Sequence, residues 1–259
     1  MADQAELLVT RPKPGVLLLT LNRPEKRNAL ATSLLGAVAT ALIEANDDET
    51  IACIVLTGGN QVFAAGADIN ELAVKTPVMA ETEPRGRHWA TIRAFSKPLI
   101  AAVEGFCLGG GLELALSADI VVAGEGARFG TPEINLGILP GGGGTQWLPR
   151  LVGKSLAMKM VLTGQPITAQ EALAAGLVAE LTPTGDATPR ALALAETIAA
   201  KPALALRVAK DSVLKAYTMG LADGLAYERR AFALLLASED KAEGTAAFLE
   251  KRKSIFKGR

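Results

Sequence analysis

The chain has 259 residues, with 27 Lys plus Arg against 27 Asp plus Glu and a formal net charge of zero at pH 7. That balance lacks the basic groove or stripe that phosphate backbones demand, so nucleic acid is not an expected partner. A 49% hydrophobic content excludes disordered and collagen-like classes, and two cysteines, Cys53 and Cys107, exclude a disulfide framework and a four-cysteine zinc site.

Residues Met1 to Val9 carry Asp3 and Glu6 and lack the basic start and long apolar run of a secretory signal, so a reducing cytoplasm is the expected home. Val16 to Leu21, "VLLLTL", reads as a buried strand ending at the Asn22-Arg23-Pro24 turn. A helix is predicted next, with Asn28 as its N-cap. Leu30, Leu34, Leu35, Val38 and Leu42 would lie on one face, and Asn46-Asp47-Asp48 would stop it. Ile51 to Thr57 reads as a second buried strand. The alternation repeats with "PLIAAV" (98–103), a glycine-rich turn, a helix through "LELALSA" and "DIVVAG" (119–124), which predicts an α/β fold with a largely buried sheet. The uncharged stretch 134–149 contains "LGILPGGGG", which cannot propagate a helix, so no membrane span is expected. From about Ser155 the pattern turns helical: "SLAMKMVLTG", "TAQEALAAG", a strand-like "LVAEL" and three further segments. The last of these, Asp240 to Lys253, would place cations in a final turn. Leu221–Ala237 and Ala246–Leu249 are apolar enough to require a neighbour, either the core or another subunit.

Several familiar motifs fail. Gly153-Lys154-Ser155 resembles the end of a P-loop, but Leu148 stands where its first glycine belongs. Gly124 and Gly126 begin a dinucleotide-type pattern that Phe129 breaks. No serine nucleophile elbow is present, and the single histidine, His88, reads as a surface or packing residue. Two glycine-rich turns remain, "FAAGADI" (63–69) and "GFCLGGGLEL" (105–114). Each is either a tight turn for close helix–strand packing or a backbone cradle whose free N–H groups meet a ligand oxygen. Two carboxylates in apolar surroundings favour the second reading. Glu113 lies about one turn into the predicted helix, and Glu133 lies in the Pro-bounded "FGTPEINLGILPGGGG". Burial there raises carboxyl pKa values toward neutrality, which suits a general acid and a general base. Asp68 and Glu71 look like helix-start carboxylates.

Together "LNRPEKRNAL" (21–30), "FAAGADI", "KPLIAAVEGFCLGGGLELALSADIVVAG" (97–124), "RFGTPEINLGILPGGGGTQWLPRLVG" (128–153), "LTGQPITAQEALAAGLV" (162–178) and "FLEKRKSIFKGR" (248–259) resemble the crotonase (enoyl-CoA hydratase/isomerase) superfamily in order and spacing, over essentially the whole chain. The resemblance implies a crotonase-like spiral of ββα units carrying the active site over residues 1–195, then a helical oligomerisation region over 196–259 that forms trimers, or hexamers as paired trimers. By matching positions it implies that Glu113 and Glu133 are catalytic, that the backbone N–H groups of Ala67 and Gly110 bind the thioester oxygen, and that Arg27, Ala65, Asp68, Ile69 and Lys251 bind coenzyme A. The implied reaction adds water across the 2,3 double bond of an enoyl-CoA. Coenzyme A is then part of the substrate, with no separate cofactor and no metal. The alternatives are an isomerase or other acyl-CoA enzyme on the same site, or a non-catalytic CoA-binding scaffold. The "VLLLTLNRP" start, "RGRHWATIRAF" and the "FKGR" ending resemble the branch that hydrates 2,3-dehydroadipyl-CoA in phenylacetate catabolism. In that case Arg85, Arg87 or Lys75 would meet the acyl carboxylate. Three departures stand out: Trp147 where Arg is common, Gly142 where Ala is common and expected to loosen its turn, and Glu104 where Asn is usual, for no reason legible in the sequence.

Overall fold

Strand formation follows from burial on both faces. The structure, a computed structural model, describes residues 5–259. β1 (Leu7–Lys13) pairs antiparallel with β2 (Val16–Leu21), which leads through a 3-10 turn at Pro24–Lys26 into α1 (Thr32–Asp47) and then β3 (Cys53–Thr57). In β2 and β3 alternate residues enter different cores. Leu17, Leu19, Leu21, Ile54 and Leu56 face α1 and the interior, whereas Val16, Cys53 and Val55 face the opposite layer. Both faces are therefore apolar, and the sequence reads as continuous hydrophobic runs.

Three short helices, α2 (Ile69–Ala73), α3 (Pro77–Thr82) and α4 (Arg85–Arg93), bridge to β4 (Leu99–Val103). Two successive units then each contribute a strand to two sheets. β4 and β5 (Phe106–Leu108) precede α5 (Gly110–Leu116), and β6 (Ile120–Gly124) and β7 (Arg128–Gly130) precede a 3-10 turn at Pro132–Leu136 and α6 (Gly144–Thr163). After β8 (Ile167–Thr168), α7 (Ala169–Ala174) and β9 (Glu180–Thr182), the large sheet has the order β1-β2-β3-β4-β6-β9, parallel from β2 onward. The small sheet has the order β5-β7-β8. This is the spiral of ββα turns that the resemblance implied.

α8 (Ala187–Ala199) closes the second face of the large sheet through Ala187, Ala191 and Ala195, one helical turn apart, whose small side chains let the helix lie close to the strands. Its N-terminus is held by Glu104. This fully buried carboxylate accepts the Gly185 and Ala187 N–H groups on Oε1 at 2.9 and 3.1 Å, leaving Oε2 without a partner. That gives the Glu at position 104 its physical reason: it satisfies otherwise orphaned donors at a helix start.

Several local expectations are corrected. Asn28 is not the cap of α1, which starts four residues later. It sits at φ 53°, and its amide donates to the carbonyls of Gly58, Val62 and Phe63 while its Oδ1 accepts the Arg23 N–H. Leu30 is outside the helix and forms an isolated bridge with Ala67. α6 begins eleven residues before Ser155 and is broken at Gly153 (φ 75°, ψ 161°). Four helices, not three segments, end the chain: α8, α9 (Ala203–Lys215), α10 (Leu221–Leu235) and α11 (Glu239–Glu250). α11 has no cation in its last turn; Lys251 caps it in the left-handed conformation, and Arg252 folds back onto Glu243 and Glu250. α10 buries no residue, leaving Leu221, Leu225, Phe232 and Leu234 exposed, so the core does not cover that face. Among the described residues no helix is long and apolar enough to cross a membrane.

Candidate active site

Three segments distant in sequence converge where α2, α4, α5 and the turn after β7 meet. They enclose a cavity of about 360 Å³ that is lined by Ala65, Ala67, Gly110, Glu113, Glu133 and Trp89, with Leu136, Ile138 and Leu139 opposite. Such a volume suits a largely apolar acyl group with a few fixed polar contacts.

Its floor comes from the two glycine-rich turns. "FAAGADI" runs from buried Phe63 to Asp68, which caps α2 by accepting the Asn70 N–H and is pinned by Arg23 at 3.0 Å. "LGGG" turns β5 into α5. Gly109 there adopts φ 53°, ψ −127°, and a Cβ on it would stand 2.9 Å from Glu133 Oε1, so only glycine fits. The Ala67 N lies 3.6 Å from where a Cβ on Gly110 would stand, and neither the Ala67 nor the Gly110 N–H has an acceptor among the described residues. Two neighbouring free donors, one at a helix start, form a ready site for an oxygen that gains negative charge.

Glu113 is buried on α5, and its Oε1 accepts the N–H groups of Gly142 and Gly144 at 2.7 and 2.8 Å. Burial pushes its carboxyl above the usual range, while those N–H groups and the Arg85 charge pull it back. Gly142 is not a loosened turn. A Cβ there would lie 2.7 Å from Glu113 Oε2 and 2.9 Å from the Trp89 ring, and the Gly142 carbonyl is held by Arg93 at 2.9 Å. Glu133, on the 3-10 turn, has Oε2 buried without a partner. Burial and the nearby Glu113 charge drive its carboxyl up to about 7, against the opposing pull of its own backbone N–H. A carboxyl poised there exchanges protons readily at neutral pH.

The structure brings Ala65, Ala67, Asp68, Ile69, Gly110, Glu113 and Glu133 to this cavity. It does not bring Arg27, which sits in a left-handed turn behind it with its carbonyl on the Ala65 N–H, nor Lys251 at the end of α11. Of the three cations considered for an acyl carboxylate, Arg85 and Lys75 line the cavity and Arg87 does not. His88 packs against Gly36 of α1. Trp147 makes an edge-to-face contact with Tyr217 at 5.6 Å, outside this cavity. Sequence reasoning missed Trp89, Arg23 and Arg93. The four-residue spacing of Arg85 and Trp89 on α4 was the available signal for Trp89.

The chain belongs to the enoyl-CoA hydratase/isomerase family, whose pattern it matches over residues 11–259. Among individual relatives it is 52% identical over 255 residues to the 2,3-dehydroadipyl-CoA hydratase of Escherichia coli (strain K12), covering 98% of this chain and all of that one. It is 45% identical to the mitochondrial enoyl-CoA hydratase of Pongo abelii, over 93% of this chain and 83% of that one. The fold superimposes on an enoyl-CoA hydratase subunit I from Geobacillus kaustophilus HTA426 with a TM-score of 0.94 at 41% identity, covering 98% and 99% of the two chains.

Proposed function

We propose that the protein hydrates 2-enoyl-CoA thioesters to 3-hydroxyacyl-CoA. The observation that carries this reading is the convergence of buried Glu113, half-buried Glu133 and two free backbone N–H groups in one cavity. Glu113, held by two N–H groups, orients a water and accepts its proton as the water oxygen bonds to Cβ. Glu133, protonated near neutral pH, delivers a proton to Cα. Electron density moving onto the thioester oxygen is met by Ala67 and Gly110, and losing one such donor typically costs about 10²–10³ in turnover. Coenzyme A is bound as part of the substrate, with no resident metal or cofactor.

Coenzyme A lies along the Ala65–Ile69 segment. Asp68 serves through its backbone, since its carboxylate is taken by Arg23 and the α2 cap, and exposed Ile69 offers an apolar surface. Arg27 supports Ala65 from behind through its carbonyl. The uncovered apolar faces of α10 and α11 support assembly into trimers, or hexamers of paired trimers, with Lys251 reaching a neighbour's coenzyme. The division into a spiral core over 1–195 and a helical region over 196–259, and a cytoplasmic location, belong to the same reading.

The test is steady-state hydration of crotonyl-CoA, followed by loss of enoyl thioester absorbance. Turnover is expected; binding of coenzyme A without hydration of any enoyl thioester would make the protein a scaffold. Movement of the double bond of a 3-enoyl-CoA at full rate in Glu113→Gln, alongside its loss in Glu133→Gln, would point to the single-carboxylate chemistry of an isomerase.

A further inference from the structure

The charged groups lining the cavity are accounted for with two exceptions. Asp68 is paired with Arg23, and Lys75 with Glu83 at 2.6 Å. Glu71 takes the Thr32 N–H and hydroxyl, and Glu113 takes Gly142 and Gly144. One exception is Glu133, which carries the proton in the reading above. The other is Arg85, the first residue of α4.

Arg85 is half-buried, and no carboxylate among the described residues lies within 4.0 Å of its guanidinium. Nη1 donates to the Leu30 carbonyl at 3.0 Å, which fixes the plane of the group. Its other N–H groups have no acceptor among the described residues. Nη2 points past Gly110, 3.9 Å from where a Cβ on that residue would stand, so the spare donors face the acyl chamber. Burial weakens the hold of the guanidinium on its proton, and the charges of Glu71, Glu83 and Glu113 partly restore it. A partly desolvated cation with a free planar fork is costly when empty and well matched to a carboxylate, which it grips through two parallel hydrogen bonds.

We propose that Arg85 reads the far end of the acyl chain, pairing with a distal carboxylate and so selecting dicarboxylic enoyl-CoA substrates over unsubstituted chains of equal length. Of the three cations considered, Lys75 is paired with Glu83 and Arg87 does not line the cavity, which leaves Arg85 as the reader. This rests on the hydratase reading and supplies its acyl specificity. A cation this close to Gly110 has one competing role, as an extra donor to the thioester oxygen, and the two roles separate by substrate.

The experiment compares adipyl-CoA with hexanoyl-CoA, saturated thioesters of the same length that differ in the distal carboxylate, as inhibitors of crotonyl-CoA hydration. Wild type is expected to bind adipyl-CoA at least about tenfold more tightly, as a hydrogen-bonded charge pair allows. Arg85→Met should narrow that gap to less than about threefold, and Arg85→Lys, which keeps charge without the fork, should fall between. Equal binding of the two thioesters by wild type overturns the proposal without needing any variant to fold. A gap preserved in Arg85→Met overturns it too, as does an equal loss for both thioesters, which would assign Arg85 to the thioester oxygen. Calorimetric binding of the same two thioesters reads the preference independently of turnover, so absence of hydration would sink the hydratase reading while leaving this one still measurable.

Discussion

The Glu113 carboxylate rests against the glycine loop before α6, taking two N–H groups on one oxygen, whereas Glu133, on the turn after β7, carries a buried oxygen with no donor. The residue type and the cavity are the same, yet the surroundings differ, which is the basis of the proposed division of roles. Donors aimed at Glu113 stabilise its charged form and fix its direction, which suits a base. Burial and the Glu113 charge, opposed only by its own backbone N–H, raise Glu133 to about 7 and leave it able to carry a proton, which suits an acid. Glu104 combines both situations, with one oxygen holding two N–H groups and the other unpartnered, but it lies in the core beneath α8 and serves stability alone.

The largest test of this contrast removes either charge. Glu113→Gln and Glu133→Gln should each lower kcat for crotonyl-CoA hydration by roughly 10²–10⁴, and a full rate in either would collapse the division of labour. Next, Gly142→Ala drives a methyl group into Glu113 Oε2 and the Trp89 ring. The shift this forces on Glu113 and Trp89 should lower kcat by no more than about tenfold, since Ala is common here in the family the chain resembles, while the alkaline limb of the pH profile, set mainly by Glu133, stays in place. A shifted alkaline limb would mean that the two sites are not separately tuned.

The pH dependence is smaller but sharper. In the proposed mechanism Glu133 delivers the Cα proton, so the hydration rate should decline as pH rises through about 7. Because the folded-state pKa is raised from 4.5, the folded protein holds a proton that the unfolded chain has already released. The associated stability is present below pH 4.5 and is lost as pH climbs toward 7. Glu133→Gln should be free of that loss, so its thermal midpoint should gain on wild type between pH 5 and pH 8; parallel curves would refute the raised pKa. Smallest of all, Glu104→Gln should cost about 1 kcal/mol in urea unfolding, as weakened helix caps do, with kcat unaltered.

Much of this was legible in the sequence because burial writes itself as hydrophobicity. The runs at β2, β3, β4 and β6 are apolar but for Thr20 and Thr57, and Glu113 and Glu133 stand out against apolar neighbours. β1 was missed since six of its seven residues are exposed and carry no pattern, and β5, β7 and β8 since two or three residues establish no period. Asn28 misled because the side chain that caps helices also tolerates a left-handed backbone, and only the fold supplies the three carbonyls that claim its amide. The anchoring of Glu113 by a loop 29 and 31 residues away is likewise a tertiary fact. So are the Arg23–Asp68 pair and the pairing of Lys75 that sets Arg85 apart.

The register of the large sheet also carries a kinetic consequence. Val16 pairs with Cys53, Ile54 with Leu99, Ile100 with Ile120 and Val122 with Glu180, so every parallel contact closes a long loop before it returns any stabilisation. Chains dominated by such distant pairings fold slowly and expose strand edges while they wait. The cavity needs Ala67, Gly110 and Glu133 together, on segments that meet only once β5 and β7 are paired. Refolding followed by helix signal should therefore run ahead of recovered turnover, and the interval between them measures how late in assembly the catalytic groups find one another.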